Sequence, residues 1–352
     1  MGAPRRTGES NVRPVWWRSR MVLLVGAIGL VAPLVLLGGA TSASATTSYP
    51  VTATVPVGSV PYMVAVNATT NTVYVTNIGE GTMSVINGTT NTVSATVTVG
   101  SAPFGVAVNA TTNTVYVANS GEGTLSVIDG ILNTVTATVT VGNDPFWVAV
   151  NATTNTVYVA NYNSGTVSVI DGILNTVTAT VTVGGSPYGV AVNATTNTVY
   201  VTDTISNSVL VIDGILNTVP ATVPVGGLPY GVAVNATTNT VYVTNRSVGT
   251  VSVIDGATIT RTAIVTVGNG PRGVAVNATT NTVYVTNTGS NTVSVITPGT
   301  VPAAPGLADL SLAATGSDST LPLGLAGLLL IAGSAMLGAA RLRGRSGTSH
   351  IC

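Results

Sequence analysis

The side chains able to stack, ionise or donate hydrogen bonds recur in this sequence at a fixed step. A proline followed by an aromatic residue places Tyr62, Phe104, Phe146, Tyr188 and Tyr230 at intervals of 42, and Arg272 takes the sixth position. Met63 and Trp147 stand where four of the six copies carry glycine. Aromatic rings gathered at one place can stack on sugar rings or peptide side chains, and tyrosine adds a hydroxyl. Two expectations follow from this pattern: a ligand-binding surface, or packing of the links between units.

The ionisable inventory is small. Charged residues make up 6% of the chain, there is no lysine, and formal net charge is zero. A nucleic-acid-binding protein needs a basic face, so that class is excluded as a partner. Glu80, Glu122, Asp144, Asp203, Arg246 and Arg272 fall in loops that differ between copies. Asp129, Asp171, Asp213 and Asp255 each stand in Ile-Asp-Gly. One carboxylate per loop is too few for a calcium cage, so these read as turn formers and no metal is expected. The single Cys352 and the single His350 lie at the far C-terminus. The expectation is therefore a non-enzyme with no cofactor and no catalytic residue. The alternative is a hydrolase working through Glu80, Glu122 or Asp144.

These residues must be positioned by a repeating element. The string VNATTNTVYV begins its asparagine at 67, 109, 151, 193, 235 and 277, a step of 42 without insertion. Within one unit, period-two runs of β-branched residues alternate with turn residues. In residues 103–142 they read as four strands: PFGVAVN, TVYVAN, TLSVID and TVTATVTV. Four short antiparallel strands in such a repeat predict a propeller blade; an open β-solenoid is the alternative. The expected fold is all-β, a six-bladed propeller over 51–299. Residues 51–57, VTATVPV, match a fourth strand, and the last unit stops after its third. The N-terminal strand is expected to complete the sixth blade and close the ring, removing two exposed sheet edges.

Chain direction sorts the loops. In such a blade, the link to the next blade shares one end with the second-to-third turn. The turns at the opposite end are nearly constant, ATTN in all six copies, whereas the link end varies. The candidate ligand-binding residues, Tyr62 to Arg272, all belong to the variable end.

The tetrapeptide Tyr74-Val75-Thr76-Asn77 recurs intact at Tyr242 and Tyr284 and in degenerate form at Tyr116, Tyr158 and Tyr200. Six copies in register resemble the YVTN-type β-propeller family, common in bacterial and archaeal surface proteins. The resemblance implies a propeller and leaves function open.

The two ends of the chain read as targeting. Residues 1–20 are basic, 21–40 are apolar, and Ala43-Ser44-Ala45 fits an A-x-A cleavage site, so 1–45 is expected to be a signal peptide; an uncleaved anchor is the alternative. Near the other end stand Leu312, Ala313, Ala314, Thr315 and Gly316, then an apolar run at 321–340 and three arginines. This ordered set resembles the sortase sorting signal of high-GC Gram-positive bacteria. By that resemblance 312–352 is a sorting signal after a Pro/Ala linker at 300–311. The expected partners are sortase and peptidoglycan, with a membrane helix in the precursor. A plain tail-anchored membrane protein is the alternative. Together these features predict a secreted, wall-anchored surface module that binds a glycan or another surface protein or serves structurally.

Overall fold

The structure is a computed structural model that describes residues 52–299. The expected signal peptide (1–45), linker (300–311) and sorting signal (312–352) with its membrane helix (321–340) lie outside the described residues.

Among the described residues the chain is all strand and turn. Blade 1 comprises β1 (Pro61–Asn67), β2 (Thr72–Asn77), β3 (Thr82–Asn87) and β4 (Thr92–Thr98), paired antiparallel in that order. The pattern repeats through five four-stranded blades, whose first strands are β5 (Pro103–Asn109), β9 (Pro145–Asn151), β13 (Pro187–Asn193) and β17 (Pro229–Asn235) after β1. Blade 6 has three strands, β21 (Pro271–Asn277), β22 (Thr282–Asn287) and β23 (Thr292–Ile296).

Turn chemistry sets the hairpins. In ATTN, the Asn67 side-chain oxygen accepts the Thr69 N–H at 3.0 Å, and Asn71 takes a left-handed φ of 52°. Asparagine tolerates that conformation because its short amide bonds locally. In the third-to-fourth turn, Asp129 Oδ1 accepts the N–H groups of Ile131 and Leu132 at 2.7 and 3.0 Å.

The core lies between blades. Tyr158 of blade 3 is fully buried in one cluster with Val190, Val199 and Val201 of blade 4. Tyr74 of blade 1 packs likewise with Val106, Val115 and Val117 of blade 2. Because both faces of each inner sheet meet a neighbour, the strands carry small β-branched residues on both sides. The YVTN threonine crosses the same seam: Thr76 Oγ1 donates to the Phe104 carbonyl at 2.9 Å, and Thr202 Oγ1 to the Tyr230 carbonyl at 2.9 Å.

The expected closure by the N-terminal strand is not what the structure holds. Residues 52–57 form no strand, and among the described residues the sheet of blade 6 stops at β23. The first strands pack in the order β1, β5, β9, β13, β17, β21, and no comparable packing joins β21 to β1. The physical reason lies in burial. Ordering each residue of a strand costs roughly 1–2 kcal/mol. In an inner blade the fourth strand offsets this with a valine, such as Val181, buried between sheets. On blade 6 the outward face has no covering sheet, so Val293 and Val295 are exposed and a fourth strand would gain little.

Candidate functional site

The repeated Pro-aromatic pairs open the first strands of blades 1 to 5, Pro271-Arg272 opens that of blade 6, and the structure brings them together at one end of the propeller. Tyr62 meets Phe104 edge-on with ring centroids 4.8 Å apart, and Phe104 meets Phe146 at 4.6 Å. Phe146 stacks on Tyr188 at 5.3 Å, Tyr188 lies 3.9 Å from Tyr230, and the Arg272 guanidinium sits over Tyr230 at 5.4 Å. Each blade's ring thus touches the next. The Tyr62 hydroxyl also reaches from blade 1 to the Tyr188 hydroxyl of blade 4 at 3.1 Å, and Tyr188 bonds Tyr230. The rings pack against one another from blade to blade and form the floor of a cavity.

That cavity holds about 360 Å³. Its walls come from residues that the sequence reading did not single out as ligand-binding. Tyr162, Thr204 and Arg246 are the first residues of the second-to-third turns of blades 3, 4 and 5, and Leu228 precedes the proline of a link. Their alignment has a local cause. The backbone N–H of each turn's first residue donates to the link carbonyl just before the proline, as Tyr162 does to Asp144 at 2.9 Å and Arg246 to Leu228 at 3.0 Å. The link residue adopts a left-handed φ of 49° at both Asp144 and Leu228. That conformation is disfavoured for a residue with a side chain, more so before proline. Such strain is held only where the surroundings over-determine it.

Met63 and Trp147 go elsewhere. At their position in blade 2, a Cβ on Gly105 would lie 2.6 Å from the Phe146 carbonyl of the next blade. Side chains there are drawn into the seam between blades. Trp147 packs against the blade 3–blade 4 core with its ring 6.0 Å from Tyr188, and Met63 packs against the blade 1–blade 2 core. Neither lines the cavity, and Arg272 flanks it through Tyr230.

The electrostatics of the mouth favour neutral phenols and free cations. Burial is the main cause that pushes the Tyr188 hydroxyl far above its ordinary value, and its bonds to Tyr230 and Tyr62 add to this. Burial also raises Tyr230, while the Arg272 charge pulls it the other way. The acidic groups nearby are engaged in loop bonds. Asp144 accepts from Ser120 at 3.0 Å and from Asn163, and Asp203 from the backbone of Ser186 and Ile205, each at 3.0 Å. Glu122 accepts the Ser101 N–H at 3.0 Å, and Glu80 and Glu122 border a shallow groove of about 350 Å³. Among the described residues, no three His, Cys, Asp or Glu side chains gather as metal ligands.

A family profile described as "Lactonase, 7-bladed beta-propeller" matches residues 69–187, and one described as "NHL repeat" matches 269–296. No curated protein matches. Among solved structures, a functionally unknown protein from Desulfotomaculum acetoxidans is similar at TM-score 0.60 and 17% identity, over 68% of this chain and 83% of that one. A hydrazine synthase chain from Kuenenia stuttgartiensis matches at TM-score 0.49 and 17% identity, over 71% of this chain and 99% of that one. The two profile matches agree with a β-propeller repeat protein, the fold that the strand pairing displays.

Proposed function

We propose that this chain is a YVTN-type propeller displayed outside the cell, held on the wall through Leu312 to Gly316, and that it binds a ligand at its aromatic mouth without catalysis. The observation that carries the binding reading is the cavity of about 360 Å³ over converging rings, at the end of the propeller where the repeats differ. Ligand sites are concave and mostly apolar, with a few convergent polar groups. The wall-anchoring reading draws on the ordered terminal signals in the sequence. A glycan and peptide array with the full-length chain tests binding beside a Phe146→Ala, Arg246→Ala variant. The variant should lose the signals that the native chain gives; equal signals from both would remove the mouth as the site. For anchoring, Thr315→Ala should move the protein from the wall fraction to the membrane or medium.

A second reading has one observation in its favour. The lactonase-type profile spans 69–187, which includes Glu80, Glu122 and Asp144. Under that reading the groove bordered by Glu80 and Glu122 hydrolyses a lactone. Lactone turnover abolished by Glu122→Gln would establish it, and no turnover above the uncatalysed rate would end it.

A further inference from the structure

We infer that the mouth takes a carboxylated sugar, the uronic acid unit of an acidic glycan. This rests on the reading of the mouth as a ligand site and adds the ligand's chemical class. Three properties of the cavity converge on it.

The first is charge. No carboxylate lines the cavity, whereas Arg246 does, and its side chain is exposed. Arg272 adds a second guanidinium over Tyr230, and its Nε is buried with no hydrogen-bond partner. Asp144 and Asp203, the acids of the adjoining loops, already accept from loop donors. A carboxylate entering the cavity can meet the exposed Arg246 guanidinium in bidentate form.

The second is hydroxyl bookkeeping. Tyr62, Tyr188 and Tyr230 form a chain of three hydroxyls joined by two contacts. Each phenol has one O–H donor and spare acceptor capacity. Two contacts consume two donors, so one O–H and several lone pairs remain among these three cavity-lining residues. A ligand that both donates and accepts, as sugar hydroxyls do, matches that remainder; a purely apolar acid does not.

The third is the apolar wall. Phe146, Tyr162 and Leu228 offer flat or aliphatic surface beside the polar groups. The C–H face of a pyranose lies on such rings. A cavity of about 360 Å³ sits at the small end of ligand sites, of order 300–1,000 Å³, which fits a terminal sugar unit.

The test is calorimetric titration of the full-length chain with trigalacturonate, its methyl ester, maltotriose and phenylacetate. Trigalacturonate should bind about 10-fold or more tighter than its ester, as expected for a hydrogen bond to a charged group. Arg246→Gln should narrow that gap, weakening acid binding about 10-fold more than ester binding. Equal affinity for acid and ester would overturn the anionic class. Phenylacetate binding as tightly as trigalacturonate would overturn the sugar. Maltotriose or an array peptide binding in a Phe146-dependent manner, with no preference for the acid, would overturn the class and leave the mouth a binding site. Binding of any of these probes that ignores Phe146→Ala would sink both.

Discussion

Tyr158 and Tyr284 hold the same place in the same tetrapeptide of the same repeat. Tyr158 is fully buried between blades 3 and 4, and Tyr284 is 43% exposed at the end of blade 6. On the opposite kind of face, Val190 is buried against blade 3 while its counterpart Val64 of blade 1 is 62% exposed. Local sequence is nearly identical at the inner and terminal blades, so the difference comes from the neighbour alone. A blade is one half of an interface on each side. Burial, and the stability it carries, belongs to the seam and not to the blade.

The sharpest way to break this comparison is to remove the ring at both sites. Tyr158→Ala opens a large cavity in a sealed seam and should cost about 3–5 kcal/mol. Tyr284→Ala removes a half-solvated ring and should cost about 1 kcal/mol or less. Denaturation of the full-length chain, followed by circular dichroism, separates the two. Equal losses would mean that blades 6 and 1 meet in solution. A companion variant isolates the ring from its hydroxyl. The Tyr158 hydroxyl is buried without a partner, so Tyr158→Phe should be neutral or stabilising, because it removes an unpaid desolvation.

A smaller effect sharpens the same contrast in hydrogen bonds. Asn151 Nδ2 of blade 3 donates to Asn197 Oδ1 of blade 4 at 2.6 Å, and the same staple joins each of the other sealed seams, as Asn67 joins Asn113 at 2.7 Å. Asn277 of blade 6 keeps only its local turn bonds, to the N–H groups of Thr279 and Thr280. Asn151→Ala should cost about 1–2 kcal/mol, because it loses the turn cap and the bond to half-buried Asn197. Asn277→Ala loses only an exposed turn cap, about 0.5–1 kcal/mol. A cost at Asn277 as large as at Asn151 would show a sixth staple, with Asn71 as its acceptor.

The repeat made most of the fold legible. Period two, turn residues at fixed offsets and an invariant step of 42 specify strands, hairpins and blade count together. Closure was not legible. Residues 51–57 have the sequence of a fourth strand, yet a strand forms only where the edge beside it is itself supported. The aromatic floor of the site was legible, since six copies of one position must converge on one axis. The walls were not. Tyr162, Thr204 and Arg246 sat in turns already recognised as variable, but which turn residue points inward depends on the bond between turn and link. With that bond in hand, the first position of each turn is the signal. Trp147 and Met63 depart from a glycine that lies against the neighbouring blade and not in the mouth.

The smallest expected effect uses a difference that the sequence itself supplies. Blades 2 to 5 cap the third-to-fourth turn with Asp129, Asp171, Asp213 and Asp255, whereas blade 1 uses Asn87 for the same bond, accepting the Thr89 N–H at 2.9 Å. Backbone N–H bonds hold all four carboxyls below the ordinary aspartate value, with Leu132, Leu174, Leu216 and Thr258 the foremost donors. A carboxyl with a depressed folded value contributes stability above its unfolded value and loses it as pH falls through the folded one. The contribution is therefore whole at neutral pH and fades below the ordinary value near 3.8. All four groups lie near the surface, where solvent screens their charge, so their contribution to stability is small. Replacing all four with asparagine preserves the acceptor, as blade 1 demonstrates, and removes the titration. The denaturation midpoint of the native chain should drop between pH 6 and pH 3 by more than that of the fourfold variant. Parallel drops in both would place the acid sensitivity elsewhere and leave the aspartates as turn formers whose charge contributes nothing.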